Sequence, residues 1–173
     1  IKMKKYFILL LIVTLSLPLC AQETEVSAET STFYFIRHAE KDRSNEENRD
    51  PKLKEEGILR AAKWSLVLQN VKFNAVYSTD YNRTKQTAQP TAEMNGLTLT
   101  MYDPSNLDGN AFLEANKGKT VLVVGHSNTT PMFVNALLGA EKHPQMADDN
   151  NGNLYIVTVS STGEMSDIVL VIE

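Results

Sequence analysis

Phe33-Tyr34-Phe35-Ile36-Arg37-His38-Ala39-Glu40 is four bulky apolar or aromatic residues running without a break into an arginine and a histidine. So short an apolar run reads as a strand covered on both faces, the kind found in parallel sheets. In open α/β sheets ligands gather at the carboxyl ends of strands, which is where Arg37 and His38 fall. Two other stretches repeat the pattern. Tyr77-Ser78-Thr79-Asp80-Tyr81-Asn82-Arg83-Thr84 runs from a strand through a polar turn into a helix with Arg83 in its first turn. Val121-Leu122-Val123-Val124-Gly125-His126-Ser127-Asn128 runs from a strand into Gly-His and then a helix start.

The remaining elements follow from the same reading. Strands are expected at Phe33–Ile36, Ala75–Tyr77, Leu97–Met101, Val121–Val124, Leu154–Val159 and Ile168–Ile172. Helices are expected over Lys54–Gln69, where Ile58, Ala62 and Leu66 recur at i, i+4, over Asp80–Met94 with a bend at Pro90, and over Ala111–Ala115. A fourth begins with Pro131 at its first position after Thr130 and stops at Gly139. Asp80 is the expected N-cap of the second. The alternation predicts an α/β fold: a three-layer α/β/α sandwich around a mainly parallel sheet. The last two strands, joined across Ser160–Ser166, form an edge hairpin.

The amino-terminal end reads differently. Lys2, Lys4 and Lys5 precede an apolar run from Phe7 to Leu19, closed by Ala21, the order of a secretory signal peptide. Thirteen helical residues would span about 20 Å, short of the roughly 30 Å hydrocarbon core. We therefore expect residues 1–21 to be a leader cleaved after Ala21, residues 22–31 a flexible linker, and residues 32–173 one domain. Export to the periplasm or outside the cell follows, with no stable membrane insertion once the leader is removed. Cys20 leaves lipidation open, although Leu19 is not the small residue that usually precedes a lipidated cysteine.

Composition narrows the function. The chain of 173 residues has 17 Lys+Arg against 21 Asp+Glu, and all three leader charges are basic, so the remainder carries 14 against 21. So acidic a domain is a poor general nucleic-acid binder. Outside the leader there is no cysteine, and only three histidines occur in total, which disfavours disulfide, thiolate-metal and His-rich metal sites. What the three strand ends offer instead is two histidines and two arginines on one edge of a sheet. A guanidinium fork suits phosphate oxygens, and a helix N-terminus adds free N–H groups.

Arg37-His38-Ala39-Glu40, Ser78…Arg83…Thr87-Ala88 and Gly125-His126-Ser127-Asn128, in that order, resemble the histidine phosphatase superfamily, the phosphoglycerate mutase-like fold, and most of all its small bacterial phosphatases. The resemblance covers nearly all of residues 32–173. It implies a phosphatase acting on a phosphomonoester, small molecule or phosphoprotein, with no cofactor and no metal. By the same resemblance His38 is the transiently phosphorylated nucleophile; Arg37, Arg83 and His126 hold the phosphoryl group; and Asn128 touches substrate. No motif marks the general acid. The equivalent region of the family holds Asp103, then Asp108, with Glu40 a weaker candidate.

Elementary chemistry agrees with these roles. An imidazole attacks only when unprotonated, and nearby arginines would lower the pKa of His38. Two guanidinium groups can neutralise a transferring phosphoryl group without a metal. The charged stretch Lys41–Asp50, seven charges in ten residues, reads as a solvated loop. His143 reads as a loop residue and Trp64 as core. The rival readings are a non-catalytic secreted protein that binds a phosphorylated ligand, and a phosphomutase, for whose long insertions the chain lacks room.

Overall fold

The computed structural model describes residues 29–173. The expected leader with Cys20, and most of the expected linker, lie outside the described residues. Six strands form a single sheet: β1 (Ser31–Arg37), β2 (Ala75–Ser78), β3 (Leu99–Met101), β4 (Thr120–Gly125), β5 (Asn153–Val159) and β6 (Met165–Val171). Their order is β3-β2-β4-β1-β5-β6. β1, β4, β2 and β3 are parallel neighbours, while β5 and β6 add an antiparallel hairpin at one edge. Four helices connect them: α1 (Glu55–Val67), α2 (Asn82–Met94), α3 (Gly109–Ala115) and α4 (Thr129–Leu138).

Period-two alternation along the central strands builds two cores. Phe33 and Phe35 of β1, with Val121 and Val123 of β4, pack on one face against Phe133, Val134 and Leu137 of α4 and Phe112 of α3. Ile36 of β1, with Leu122 and Val124 of β4, packs on the other against Trp64 of α1 and Ala88 and Ala92 of α2. The result is the expected three-layer α/β/α sandwich. Trp64 is 1% exposed and so belongs to the core, where each large apolar side chain contributes about 1.5–3 kcal/mol by burial.

The topology also makes the crevice. The chain leaves β1 toward β2 through α1 on one face of the sheet, and leaves β4 toward β5 through α4 on the other. β1 and β4 are neighbours in register, Arg37 opposite Gly125, so their carboxyl ends flank a topological switch point.

Boundaries differ from expectation in ways with local causes. β3 begins at Leu99 rather than Leu97, because Leu97 is engaged by the turn after α2, where its N–H donates to Ala92 O. β6 starts at Met165, extending the hairpin ladder to Val159. α2 starts at Asn82 and continues through Pro90 to Met94. α4 starts at Thr129, which puts Pro131 third; a residue without an N–H is still tolerated there, in the first turn. Gly139 ends α4 as expected, in the left-handed region at φ 64°.

Asp80 does not cap α2. The N-cap is Tyr81, with no side-chain bond of its own. Asp80 instead pairs with Lys85 at 2.6 Å. The missing cap comes from the charged loop: the Asp50 carboxylate accepts from Asn82 N at 2.7 Å and from Asn82 Nδ2 at 2.8 Å.

One close approach positions the segment after β1. Gly57 of α1 lies against the backbone of Glu40, and a Cβ at Gly57 would overlap the Glu40 carbonyl. Arg60, one turn further along α1, then reaches the Glu40 carboxylate at 2.7 Å.

Candidate active site

The carboxyl end of β1 delivers Arg37 and His38, that of β4 delivers His126, and the first turn of α2 delivers Arg83. The His38 and His126 rings stand edge to face with centroids 5.4 Å apart. With Arg37 and Arg83 they line a common cavity of about 360 Å³, to which the α4 N-terminus contributes Asn128. The structure thus brings together five of the residues singled out from the sequence.

Neighbouring elements fix each group. His38 Nδ1 lies 2.7 Å from Ala39 O, and because a carbonyl only accepts, the ring proton resides on Nδ1. That leaves Nε2 as the lone-pair nitrogen. Asn151 Nδ2 donates to His38 O at 3.0 Å, securing its backbone from the β5 side. Thr87 ties α2 to the same segment: its hydroxyl accepts from Ala39 N at 2.9 Å and donates to Arg83 O at 2.7 Å. One buried threonine therefore sets the spacing between the helix that carries Arg83 and the strand that carries His38.

His126 is held through a chain of hydroxyls. Its Nε2 lies 3.0 Å from Thr79 Oγ1, Thr79 Oγ1 donates to Thr84 Oγ1 at 2.9 Å, and Thr84 Oγ1 donates to Thr79 O. In this chain His126 Nε2 is the donor, so Nδ1 carries the lone pair, 3.5 Å from Arg83 Nη2. Tyr81 packs edge-on to the His126 ring at 5.1 Å, and the Arg83 guanidinium sits 4.3 Å over the Tyr81 ring.

Both imidazoles are neutral near pH 7. The His38 pKa is pushed down to about 3, above all by burial, with His126, Arg37 and Arg83 adding smaller repulsions. That of His126 falls to about 4, again mainly by burial, with Arg83, Arg37 and Lys41 contributing. Desolvation outweighs the arginines that the sequence suggests as the cause, because His38 is only 4% exposed.

The arginines are partly engaged and partly free. Arg37 Nη1 donates to three carbonyls of the loop before β5, Ala147 O at 2.9 Å and Asp148 O and Asn150 O at 3.0 Å. Its Nη2 meets the Asp148 carboxylate at 3.1 Å, and Arg43 meets the same carboxylate at 2.8 Å. Arg83 lies 3.8 Å from Asp50. Yet Arg37 Nε and Arg83 Nε are both buried with no hydrogen-bond partner. A buried guanidinium N–H without an acceptor is costly, and two of them beside one cavity suit an oxyanion.

The acid candidates fall elsewhere. Asp103 lines a neighbouring hollow rather than the cavity of the histidines, and its carboxylate accepts from the Ser105 N–H and hydroxyl, which hold it below the usual carboxylate range. Asp108 caps α3, accepting from Ala111 N at 3.0 Å. Glu40 Oε1 is held by Arg60 while its buried Oε2 has no partner, and the residue does not line the cavity of the histidines. Among the described residues the carboxyl that does line the cavity is that of Asp148. Thr79, Asn151, Lys41 and Asp148 are contributors that the sequence motifs did not mark, and Thr87, although it lies in the second motif, has a bridging role that the motif does not show. His143 pairs with Asp167 of β6 at 2.8 Å and packs on Tyr155, away from this cavity. Among the described residues no three His, Cys, Asp or Glu side chains come together as metal ligands would.

Comparison with known proteins agrees with this geometry. The model of the histidine phosphatase superfamily (branch 1) matches residues 33–104, the segment that carries Arg37, His38 and Arg83. No curated protein sequence matches the chain significantly. The fold is that of several solved structures. The protein histidine phosphatase SixA, solved with tungstate, superposes with a TM-score of 0.64 at 19% identity, covering 81% of this chain and 96% of its own. Phosphoglycerate mutase from Bacillus anthracis gives 0.61 at 16% identity, with 83% and 93% covered. Phosphoserine phosphatase from Entamoeba histolytica, solved with 3-phosphoglyceric acid, gives 0.60 at 15%, with 83% and 98% covered. At these identities the likeness concerns the phosphoglycerate mutase-like fold.

Proposed function

We propose that the protein is a phosphatase that hydrolyses a phosphomonoester through a phosphohistidine at His38, without a metal. The observation that carries this reading is the His38 tautomer. Nδ1–H is committed to Ala39 O, so Nε2 presents an unprotonated lone pair to a cavity flanked by two guanidinium groups with spare N–H donors.

In the first step His38 Nε2 attacks phosphorus, the P–N bond forms and the P–O bond to the leaving group breaks, the departing alkoxide taking its proton from solvent water. Arg37 and Arg83 hold the equatorial oxygens, over which the transferring charge is spread. In the second step water attacks the phosphohistidine, the P–N bond breaks and His38 is restored. Asp148 is ionised, because Arg43 and Arg37 hold its carboxyl below the usual range. It is therefore suited to accept the proton of the attacking water rather than to give one to the leaving group.

A larger hollow of about 610 Å³ adjoins His38 and presents Lys54, Glu56, Arg60 and Asp149, with no Phe, Tyr, Trp or aliphatic residue in its lining. Such walls suit a polar or charged alcohol portion of the substrate. Export, as read from residues 2–21, would place the activity in the periplasm or outside the cell.

A panel of phosphomonoesters assayed with the full chain and with His38→Ala tests the proposal. Turnover by the unmodified chain, retained in EDTA and lost in the variant, is the expected result. Phosphate binding without turnover of any ester would make the protein a non-catalytic binder.

A further inference from the structure

The cations around the two connected hollows are almost all matched to carboxylates. Arg37 and Arg43 share Asp148, Arg60 meets Glu40, Lys54 meets Glu56 and Arg83 lies near Asp50. Lys41 is the exception. It lines both the cavity of the histidines and the outer hollow, yet among the described residues its ammonium group has no ion pair and no hydrogen bond. It is half-buried, and burial together with Arg43, Arg83 and Arg37 lowers its pKa. A charge held in such company is unfavourable until an anion arrives.

The backbone beneath it is pinned. Lys41 forms an isolated antiparallel bridge with Leu53, flanked by Asp42 N donating to Lys52 O at 2.8 Å and Lys54 N donating to Glu40 O at 3.0 Å. The position of the lysine three residues after His38 is thus set as firmly as that of the strand end.

Charge balance points the same way. Arg37, Arg83 and Lys41 line the cavity with three positive charges, and among the described residues Asp148 is the carboxylate in that lining, supplying one negative charge. The surplus of two matches a phosphoryl group, which carries about −1.5 to −2 at neutral pH. Without Lys41 the surplus is one.

We infer that Lys41 is a third cationic binding residue of the phosphoryl site, its ammonium group donating to an oxygen of the substrate's phosphoryl group beside Arg37 and Arg83. The inference rests on the phosphatase reading above. A lysine suits the task because its flexible stem lets one point charge follow the phosphoryl group as it moves from the ester oxygen to His38. Arg37, held by three carbonyls, cannot do so.

Calorimetric titration of inorganic phosphate into the unmodified full chain, Lys41→Met and Lys41→Arg tests it. Lys41→Met should weaken phosphate binding about ten-fold, the scale of a charge-assisted hydrogen bond, whereas Lys41→Arg stays within about three-fold. A second measurement needs no variant: saturating phosphate should protect Lys41 of the unmodified chain from acetylation, read by mass spectrometry against the exposed Lys54. Equal phosphate affinity in Lys41→Met, or acetylation of Lys41 at the same rate with and without phosphate, overturns the inference while leaving the phosphatase reading intact. An unmodified chain that neither binds phosphate nor turns over any ester overturns both.

Discussion

Lowering the pH from about 8 to about 5 is expected to cost the folded chain about 4 kcal/mol, and the cost traces to two side chains. His38 and His126 have pKa values near 3 and 4 in the folded protein, against about 6.5 when unfolded. Between 6.5 and the folded values the unfolded state binds more protons, so stability is retained above pH 6.5 and falls as the pH drops through that window. At pH 5 each histidine contributes about 2 kcal/mol of that loss, from RT times the logarithm of the roughly 30-fold excess of protonated unfolded chain. Against a typical total of about 5–15 kcal/mol the sum is large. Urea denaturation at the two pH values measures it, and carboxylate titration, centred near pH 4, interferes little. In His38→Gln or His126→Gln the pH difference should shrink by about 2 kcal/mol. Activity should follow the same logic. About 99% of His38 is neutral at pH 5, against about 3% for an ordinary histidine, so the acid limb of kcat/KM assigned to His38 should lie below pH 5. Ring proton resonances of His38 and His126 titrating with midpoints near 6.5 would refute the reasoning.

Three substitutions extend the account. Gly57→Ala should destabilise by about 1–3 kcal/mol in urea and also lower kcat/KM, because the new methyl meets the Glu40 carbonyl two residues after His38; a gain in stability would mean that α1 is free to shift. Asp148→Asn removes the carboxylate that occupies Arg37, so inorganic phosphate should bind up to about five-fold tighter by calorimetry, while decay of the phosphoenzyme slows in rapid-quench experiments. Asp103→Asn should change kcat/KM by less than about two-fold for alkyl and aryl esters alike, since its carboxylate is turned to Ser105; a selective loss with alkyl esters would restore it as the general acid.

Much of this molecule was legible in the sequence because its signals are local. Apolar runs such as Val121–Val124 must be buried on both faces, and that dictates parallel strands with helices on either side. The motif residues sit at strand ends and a helix start, so placing the elements places Arg37, His38, Arg83, His126 and Asn128 together. What escaped the sequence depends on long-range partners. Asp50 caps a helix 32 residues away, Thr87 bridges 48 residues to Ala39, and the loop around Asp148 reaches Arg37 across more than a hundred residues. The charged loop Lys41–Asp50, read as solvated surface, contributes Lys41 to the cavity and Asp50 to α2 for the same reason. Asp103 was drawn in by its position in the chain, but the turn at Asp103–Ser105 closes on itself.

The phosphohistidine is the claim on which the rest depends, and rapid acid-free quenching of the full chain during turnover of a radiolabelled phosphomonoester tests it directly. The account predicts a covalent phosphate that is labile in acid and stable in alkali, located on the peptide containing His38, formed and consumed at rates compatible with turnover, and absent from His38→Ala. Phosphate on a different residue, or full turnover by His38→Ala, would contradict it.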